Sequence, residues 1–131
     1  MRKKLSIVIP CYNEQATIRE LLRRVEEMRL PESWEKEIIV VDDGSHDSTP
    51  EILQAYQDRI VVVLQEKNKG KGSAVQRGLQ EATGHYVLIQ DADLEYDPAE
   101  IPNLVAGLEE GRGDVIYGSR NLGRKKRKGF L

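Results

Sequence analysis

The alternation of strand-like and helix-like segments is the feature that most limits the fold of this chain. Short runs rich in β-branched residues occupy residues 5–10, 37–42, 60–65, 86–90 and 114–118. The first interval between them carries one helix face at i, i+3, i+4 and i+7 spacing: Ile18, Leu21, Leu22, Val25 and Met28. Because the strand runs are mostly continuously apolar, they favour a parallel sheet covered by helices on both faces. With right-handed crossovers, the pattern predicts an α/β fold with a doubly wound, mainly parallel sheet.

The sequence also predicts how the helices begin and which side they bury. Asn13 is the expected N-cap of the first helix, and Ser48 and Asp97 each open a capping box. A third helix is expected over residues 72–82. The residues of this helix that should face the sheet are Val75, Leu79 and Ala82.

Length, apolar content and cysteine count limit the class of protein. The chain has 131 residues, 39% of them hydrophobic, which is typical of one globular domain. Its longest apolar run, residues 60–64, is too short to span a bilayer. A single cysteine, Cys11, excludes an internal disulfide and a thiolate zinc cluster. We therefore expect a cytoplasmic protein.

Charge is distributed unevenly along the chain. From residue 120 onward there are six basic residues and no acidic ones, whereas the first 119 residues carry 14 basic and 22 acidic residues. An acidic body is not typical of nucleic-acid binding. We expect a domain over residues 1–121 and a flexible basic tail over residues 122–131. This tail is either a solvated segment or a contact to an anionic membrane surface, which would place the protein at the inner face of the membrane.

Polar clusters follow each of the predicted strands. They occupy residues 10–14, 42–45, 68–73, 91–95 and 118–120. In a doubly wound sheet, ligands bind beyond the carboxyl ends of the strands, at the point where the strand order reverses. The sequence therefore predicts a binding site formed by these loops.

Three carboxylates after the fourth strand suggest a metal site. Asp91, Asp93 and Glu95 have i, i+2, i+4 spacing, which points alternate side chains of an extended segment the same way. Like charges this close are unfavourable unless a cation neutralises them. Hard oxygen ligands favour Mg²⁺ or Mn²⁺. The alternative is a solvated turn that leads into the helix starting at Asp97.

Two further loops carry candidate ligand groups. Asp43 is expected to accept from a ribose hydroxyl or a base N–H, while Asp42 serves the turn formed with Gly44 and Ser45. The run over residues 70–73 fits neither a Walker loop nor a dinucleotide fingerprint. Lys71 in this run, or Lys69 just before the run, either contacts a phosphate or is solvated.

These motifs in this order resemble a known family. The stretches are Ile9-Pro10-Cys11-Tyr12-Asn13-Glu14, Val41-Asp42-Asp43-Gly44-Ser45, Asn68-x-Gly70-x-Gly72, Asp91-Ala92-Asp93 and Gly118-Ser119-Arg120. Together they resemble the family 2 glycosyltransferases of the GT-A fold, a Rossmann-like nucleotide-binding layer. The Asp-Ala-Asp-Leu-Glu run and Gly-Ser-Arg are similar to the dolichyl- or polyprenyl-phosphate mannosyl- and glucosyltransferase branch. The resemblance covers residues 5–121.

The resemblance implies an enzyme that moves a sugar, with inversion, from a UDP- or GDP-sugar to an acceptor. The acceptor implied is a polyprenyl or dolichyl phosphate or a saccharide, and the cofactor is Mg²⁺ or Mn²⁺. The nucleoside would be held at four matching positions: Pro10, Tyr12, Glu14 and Asp43.

The same resemblance assigns the remaining site residues. Asp91 and Ala92 match ribose and phosphate contacts, and Asp91 also belongs to the metal candidates. Asp93 matches the main metal ligand and Glu95 a second ligand. Arg120 matches a residue that contacts the diphosphate or the acceptor side. Asp93 and Arg120 are therefore the candidate catalytic residues.

The family's transferase domain continues well beyond this length, so the chain is expected to correspond to its nucleotide-binding half. The strand over residues 114–118 would then lie near an exposed edge and favour a homodimer. A non-catalytic nucleotide-sugar-binding module is an alternative. A nucleotidyltransferase is another, although such enzymes usually have a Gly- and Arg-rich loop after the first strand, which residues 10–14 do not offer.

Overall fold

The computed structural model describes residues 2–109, 115–116 and 125–126. Its strands are β1 (Lys3–Cys11), β2 (Trp34–Asp42), β3 (Val61–Leu64), β4 (Tyr86–Ile89), β5 (Val115–Ile116) and β6 (Lys125–Lys126). Its helices are α1 (Ile18–Glu27), α2 (Thr49–Gln54), α3 (Lys71–Glu81) and α4 (Ile101–Glu109), the last preceded by a 3₁₀ turn over Pro98–Glu100. The first four strands lie within a few residues of the predicted ones.

Four strands form a parallel sheet in the order β3-β2-β1-β4. Ile7 of β1 lies between Ile38 of β2 and Leu88 of β4. The chain runs from β1 outward to β3 and then returns to the other side of β1 for β4. The prediction of an α/β fold with a doubly wound parallel sheet is confirmed, and the strand order reverses between β1 and β4.

The fifth predicted strand does not extend this sheet in the residues that the structure describes. Val115 and Ile116 pair antiparallel with Lys126 and Lys125 instead. The sequence did not predict β6, because lysine has a weak preference for strands. The rest of the predicted strand and of the basic tail lies outside the described residues.

Helices cover both faces of the sheet, as expected. On one face, α1, α2 and α4 pack on the β1 side chains Leu5, Ile7 and Ile9, all of them buried. The predicted face of α1 is buried along its whole length. On the other face, α3 packs on a smaller cluster that includes Val8 and Ile39.

Helix α3 lies closer to the sheet than its apolar residues suggest. Its fully buried residues are Ala74 and Gly78, whereas Val75 and Ala82 pack half-buried at the side of the contact. A Cβ atom at Gly78 would lie 2.3 Å from Cγ1 of Val8. The predicted inward face is therefore partly right: Val75 and Ala82 pack against the cluster, but the buried residues of the helix are Ala74 and Gly78, which have little or no side chain.

Two of the three predicted caps are wrong. Asn13 does not cap α1, which begins after Thr17; it has a left-handed φ of 52°, and its side chain accepts from the His46 N–H. Ser48 occupies the N-cap position of α2, but its side chain makes no capping hydrogen bond; the Thr49 N–H donates to Asp47. The third cap is confirmed by the bond from the Ala99 N–H to Asp97.

Among the described residues, none of the helices has the length and apolar character needed to cross a membrane.

Candidate functional site

A cleft of about 340 Å³ opens at the carboxyl ends of β1 and β4, where the strand order reverses. Its walls come from the loops after β1, β2, β3 and β4 and from the start of α3. It is lined by Pro10, Cys11, Tyr12, Glu14, Asp43, Asn68, Gly70, Lys71, Ala74, Asp91, Ala92 and Asp93.

The structure brings most of the sequence-predicted site residues into this cleft. Those that line it are Pro10, Tyr12, Glu14, Asp43, Asp91, Ala92 and Asp93. Glu95 is exposed and does not line the cleft. Arg120 lies outside the described residues. The lining residues absent from the predicted set come mainly from the glycine-rich stretch after β3, where the sequence named Lys71 and Lys69 as alternatives for a phosphate contact; of these two, Lys71 lines the cleft.

Asp43 organises the loop between β3 and α3. One carboxylate oxygen accepts from the Lys69 N–H and from the Gln65 side chain, both at 2.8 Å, and the other accepts from the Gly70 N–H at 2.9 Å. Gly70 has a φ of 98°, which favours glycine at this position. A carboxylate offers about four acceptor positions, so three accepted bonds leave Asp43, which lines the cleft, with some remaining acceptor capacity.

The neighbouring Asp42 serves the turn, as the sequence predicted. It is buried and accepts from both the backbone N–H and the hydroxyl group of Ser45. The Cys11 thiol also lies 3.8 Å from its carboxylate. Burial, and secondarily the charge of Asp42, raises the pKa of Cys11 far above its usual range. Cys11 is therefore a neutral thiol at neutral pH and not a nucleophile.

Backbone N–H groups of the loop after β1 donate to hydroxyl oxygens in the loop after β2 and at the start of α2. The Asn13 N–H donates to Ser45 Oγ at 2.8 Å, and the Glu14 N–H donates to Thr49 Oγ1 at 3.0 Å. The exposed ring of Tyr12 meets the His46 ring edge-on at 6.4 Å. This wall of the cleft is therefore held by bonds between groups of the protein itself.

The loop after β4 is held from beneath by a buried amide. The Gln90 side chain donates to the carbonyl oxygen of Tyr96 at 3.0 Å and so closes the loop that carries Asp91 and Asp93. Asp93 accepts from the Glu95 N–H at 3.0 Å. Leu94 has a φ of 64°, which is unfavourable for a leucine and marks local strain.

The cleft concentrates negative charge around Glu14. Burial is the largest cause that raises the pKa of its carboxyl, and the charges of Asp93, Asp47 and Asp91 add to it, while the Thr17 hydroxyl acts in the opposite direction. Repulsion of this kind is relieved when a cation binds between the carboxylates.

The carboxylates of the cleft fit a hard divalent cation. Glu14, Asp91 and Asp93 supply oxygen donors within one cleft, and the mutual repulsion at Glu14 favours an ion there. Within the part of the chain that the structure describes, three or more metal-ligating side chains do not converge on one point. Mg²⁺ usually takes one or two protein carboxylates and completes its shell with substrate phosphates and water.

The chain matches a family model over nearly its whole length. The model is that of glycosyl transferase family 2, and it matches residues 6–130. A curated relative, the undecaprenyl-phosphate 4-deoxy-4-formamido-L-arabinose transferase of Pseudomonas fluorescens, is 44% identical over 121 residues. That match covers 89% of this chain and 35% of the relative, so the chain spans about a third of the relative's length.

Solved structures share the fold. S. aureus TarS in complex with UDP is 30% identical with a TM-score of 0.72, over 95% of this chain and 38% of that one. The mannosyltransferase PcManGT from Pyrobaculum calidifontis, in complex with GDP-Man and Mn²⁺, is 28% identical with a TM-score of 0.75, over 88% of this chain and 35% of that one. The four-stranded parallel sheet with its covering helices is therefore a GT-A layer, and the chain belongs to glycosyl transferase family 2.

Proposed function

We propose that this chain forms the donor site of an inverting glycosyltransferase that takes a sugar from UDP or GDP and transfers it to a lipid phosphate. The observation that carries the proposal is the cleft between β1 and β4, which combines an exposed aromatic ring with four carboxylates at the reversal point of the sheet. The relatives named above act on undecaprenyl phosphate or were solved with UDP or with GDP-Man.

The nucleoside side of the donor is assigned to the loops after β1 and β2. Tyr12 has 38% of its surface exposed and offers a ring on which a base can stack. Asp43, fixed by three donors of its own chain, can accept an N–H from the uracil or the guanine edge. Pro10 and Glu14 complete this wall of the cleft.

The phosphate side is assigned to the loop after β4. Asp93 would hold Mg²⁺ or Mn²⁺, with Asp91 beside it and Ala92 against the ribose and phosphates. When bound, such an ion stabilises the negative charge that develops on the leaving diphosphate. Glu95 would have to turn toward the cleft to act as a second ligand. Arg120, which lies outside the described residues, is proposed to contact the diphosphate or the acceptor.

The acceptor is proposed to be a polyprenyl or dolichyl phosphate. A phosphate is already anionic and attacks the anomeric carbon with little help from a base, whereas a saccharide hydroxyl requires one. We also propose that the basic residues 124–128 bring the protein to the inner face of a membrane, and that two copies associate, although Val115 and Ile116 already pair along one edge with Lys126 and Lys125. Salt-sensitive sedimentation with anionic vesicles and sedimentation at several protein concentrations test these two points.

A non-catalytic nucleotide-sugar-binding module is the second candidate, because the cleft by itself accounts for binding. Transfer from a nucleotide sugar to a polyprenyl phosphate separates the two: turnover supports the enzyme, and binding without turnover supports the module. Alignment of the two reactants contributes about 7–11 kcal/mol to such reactions, so a cleft that binds the donor without aligning an acceptor would show little transfer.

Calorimetry tests the donor site directly. UDP and GDP are titrated into the chain with Mn²⁺ and with EDTA, and the same is done with Asp43→Asn and with Glu66→Gln as a control of equal charge change outside the cleft. We expect binding of at least one nucleotide, weakened about tenfold or more by Asp43→Asn and unchanged by Glu66→Gln. Equal affinities for the wild type and Asp43→Asn would remove Asp43 from the nucleoside site.

A further inference from the structure

An ion pair crosses the cleft between α3 and the loop after β4. The Lys71 ammonium lies 2.5 Å from a carboxylate oxygen of Asp91. The Asp91 side chain is 19% exposed and that of Lys71 is 63% exposed, so the carboxylate is held within the cleft and the lysine reaches it from the rim. The contact joins the first residue of α3 to the loop that also carries Asp93.

The charged side chains that line the cleft are mostly acidic, and Lys71 is the exception. Among the described lining residues there are four carboxylates, on Glu14, Asp43, Asp91 and Asp93, and a single cation, Lys71. A nucleoside diphosphate brings further negative charge into this space. Its phosphates therefore need positive partners, and in the described part of the cleft the protein supplies one ammonium.

We propose that Lys71 exchanges partners when the donor binds: its ammonium releases the carboxylate of Asp91 and contacts the diphosphate instead. The inference rests on the proposed function and adds a residue that positions and selects the diphosphate. In the structure Lys71 neutralises Asp91. When a divalent cation and the diphosphate enter, the cation takes over the neutralisation of Asp91, and the released ammonium contacts the phosphate oxygens.

The physical chemistry of the pair suits such an exchange. An exposed ion pair contributes little to stability, because water screens it and the lysine loses rotamer freedom in holding it. Lysine is a compact charge on a flexible four-carbon chain, so its ammonium can move between partners without moving the backbone. Hydrogen bonds from an ammonium to phosphate oxygens are of the strong, charge-assisted kind.

The exchange predicts effects of opposite sign on two ligands. Without the diphosphate, Lys71 competes with a cation for Asp91, so Lys71→Met should bind Mn²⁺ alone about two- to fivefold more tightly than the wild type. With Mn²⁺ present, the same variant lacks the phosphate partner, so its affinity for UDP or GDP should fall about tenfold. A lysine that only supports the fold would not strengthen one ligand and weaken the other.

The experiment measures Mn²⁺ binding from the free-ion electron paramagnetic resonance signal, and nucleotide binding by calorimetry at saturating Mn²⁺. Lys69→Met is the matched control, since Lys69 lies two residues away, just before α3, and does not line the cleft. Lys71→Arg keeps a positive charge and should retain diphosphate affinity within about threefold. The loss in Lys71→Met should be larger for UDP than for UMP. Circular dichroism checks folding, and Lys71→Gln replaces Lys71→Met if the latter unfolds.

The two affinities of Lys71→Met together test the exchange of partners. Tighter Mn²⁺ binding with weaker diphosphate binding in Lys71→Met, and neither effect in Lys69→Met, supports the exchange. Unchanged or weaker Mn²⁺ binding, or equal losses in the two variants, overturns it while leaving the donor site intact. If the wild type binds neither UDP nor GDP with Mn²⁺, the proposed function fails and the exchange fails with it.

Discussion

The hydroxyl group of Thr17 lies 2.8 Å from the carbonyl oxygen of Ala92. This hydrogen bond spans the reversal point of the sheet, because Thr17 precedes α1 and Ala92 follows β4. It ties the wall assigned to the nucleoside to the loop assigned to the phosphates. The same hydroxyl lies 3.1 Å from a carboxylate oxygen of Glu14, but its single proton is donated to one acceptor at a time.

Removal of this hydrogen bond should destabilise the cleft without creating a cavity in the core. We expect Thr17→Val, which keeps the shape of the side chain, to lower the free energy of unfolding by about 0.5–1.5 kcal/mol and to weaken UDP binding by a similar amount. Thr17→Ser keeps the hydroxyl group and should bind UDP as the wild type does. Urea denaturation and calorimetry measure the two quantities. Equal losses in Thr17→Val and Thr17→Ser would mean that the methyl group, and not the hydroxyl group, matters here.

Glu14 should make the free energy of unfolding fall as pH rises. Burial and the nearby carboxylates raise its pKa above the ordinary value of 4.5, so between that value and the raised one the folded chain binds more protons at this group than the unfolded chain does. Under that condition the free energy of unfolding falls as pH rises. Glu14→Gln lacks the titrating group and should not show this contribution.

The measurement is urea denaturation of the wild type and Glu14→Gln at about pH 4 and about pH 7.5. The stability of the wild type relative to Glu14→Gln should decrease between the two pH values. Addition of Mn²⁺ at the higher pH should restore part of the loss, since the ionised carboxylate then has a cation beside it. A relative stability that is constant or that increases with pH would contradict the electrostatic account of the cleft.

Two glycines of α3 should respond to alanine in opposite ways. A Cβ at Gly78 would lie 2.3 Å from Val8, so Gly78→Ala should destabilise the protein by about 1–3 kcal/mol despite the better helix propensity of alanine. At Gly72 a Cβ meets no atom within 4 Å, so Gly72→Ala should be neutral or stabilising by up to about 1 kcal/mol. Thermal denaturation of both variants tests the close packing of α3 on the sheet. Similar behaviour of the two would refute it.

Asp93 and Glu95 should differ in their effect on metal dependence. Asp93→Asn retains an oxygen that can accept from the Glu95 N–H, so the loop should keep its form while the nucleotide loses most of its gain in affinity from Mn²⁺. Glu95→Gln should reduce that gain much less, because Glu95 does not line the cleft. Calorimetry with Mn²⁺ and with EDTA compares the variants. The reverse order would assign the principal ligand to Glu95.

The sheet and much of the cleft could be predicted because both follow from one pattern. Continuous apolar strands indicate a parallel sheet, and the carboxyl ends of parallel strands bring their polar loops to one edge. Asp43 and Asp91 are far apart in sequence, yet both line the cleft for this reason. The sequence pattern also assigned Asp42 to the turn, where it accepts from Ser45.

The errors arose where tertiary contacts override local preference. Asn13 stands where an N-cap is expected, but its side chain accepts from His46 in another loop, which no local pattern reveals. Gly78 is the closest contact of α3 because it has no side chain, and a search for apolar residues misses it. The pairing of Lys71 with Asp91 likewise depends on the fold and not on spacing.

The measurement that most directly tests the assignment of the cleft is nuclear magnetic resonance of the isotope-labelled chain titrated with UDP or GDP and Mg²⁺. The account predicts that the largest amide shifts fall in residues 10–14, 68–74 and 91–93, the three loops that meet at the carboxyl ends of β1, β3 and β4. It also predicts that the shifts diminish when EDTA removes the ion. Shifts concentrated at the amino ends of the strands, around Lys4, Glu37 and Thr83, or no shifts with either nucleotide, would contradict it.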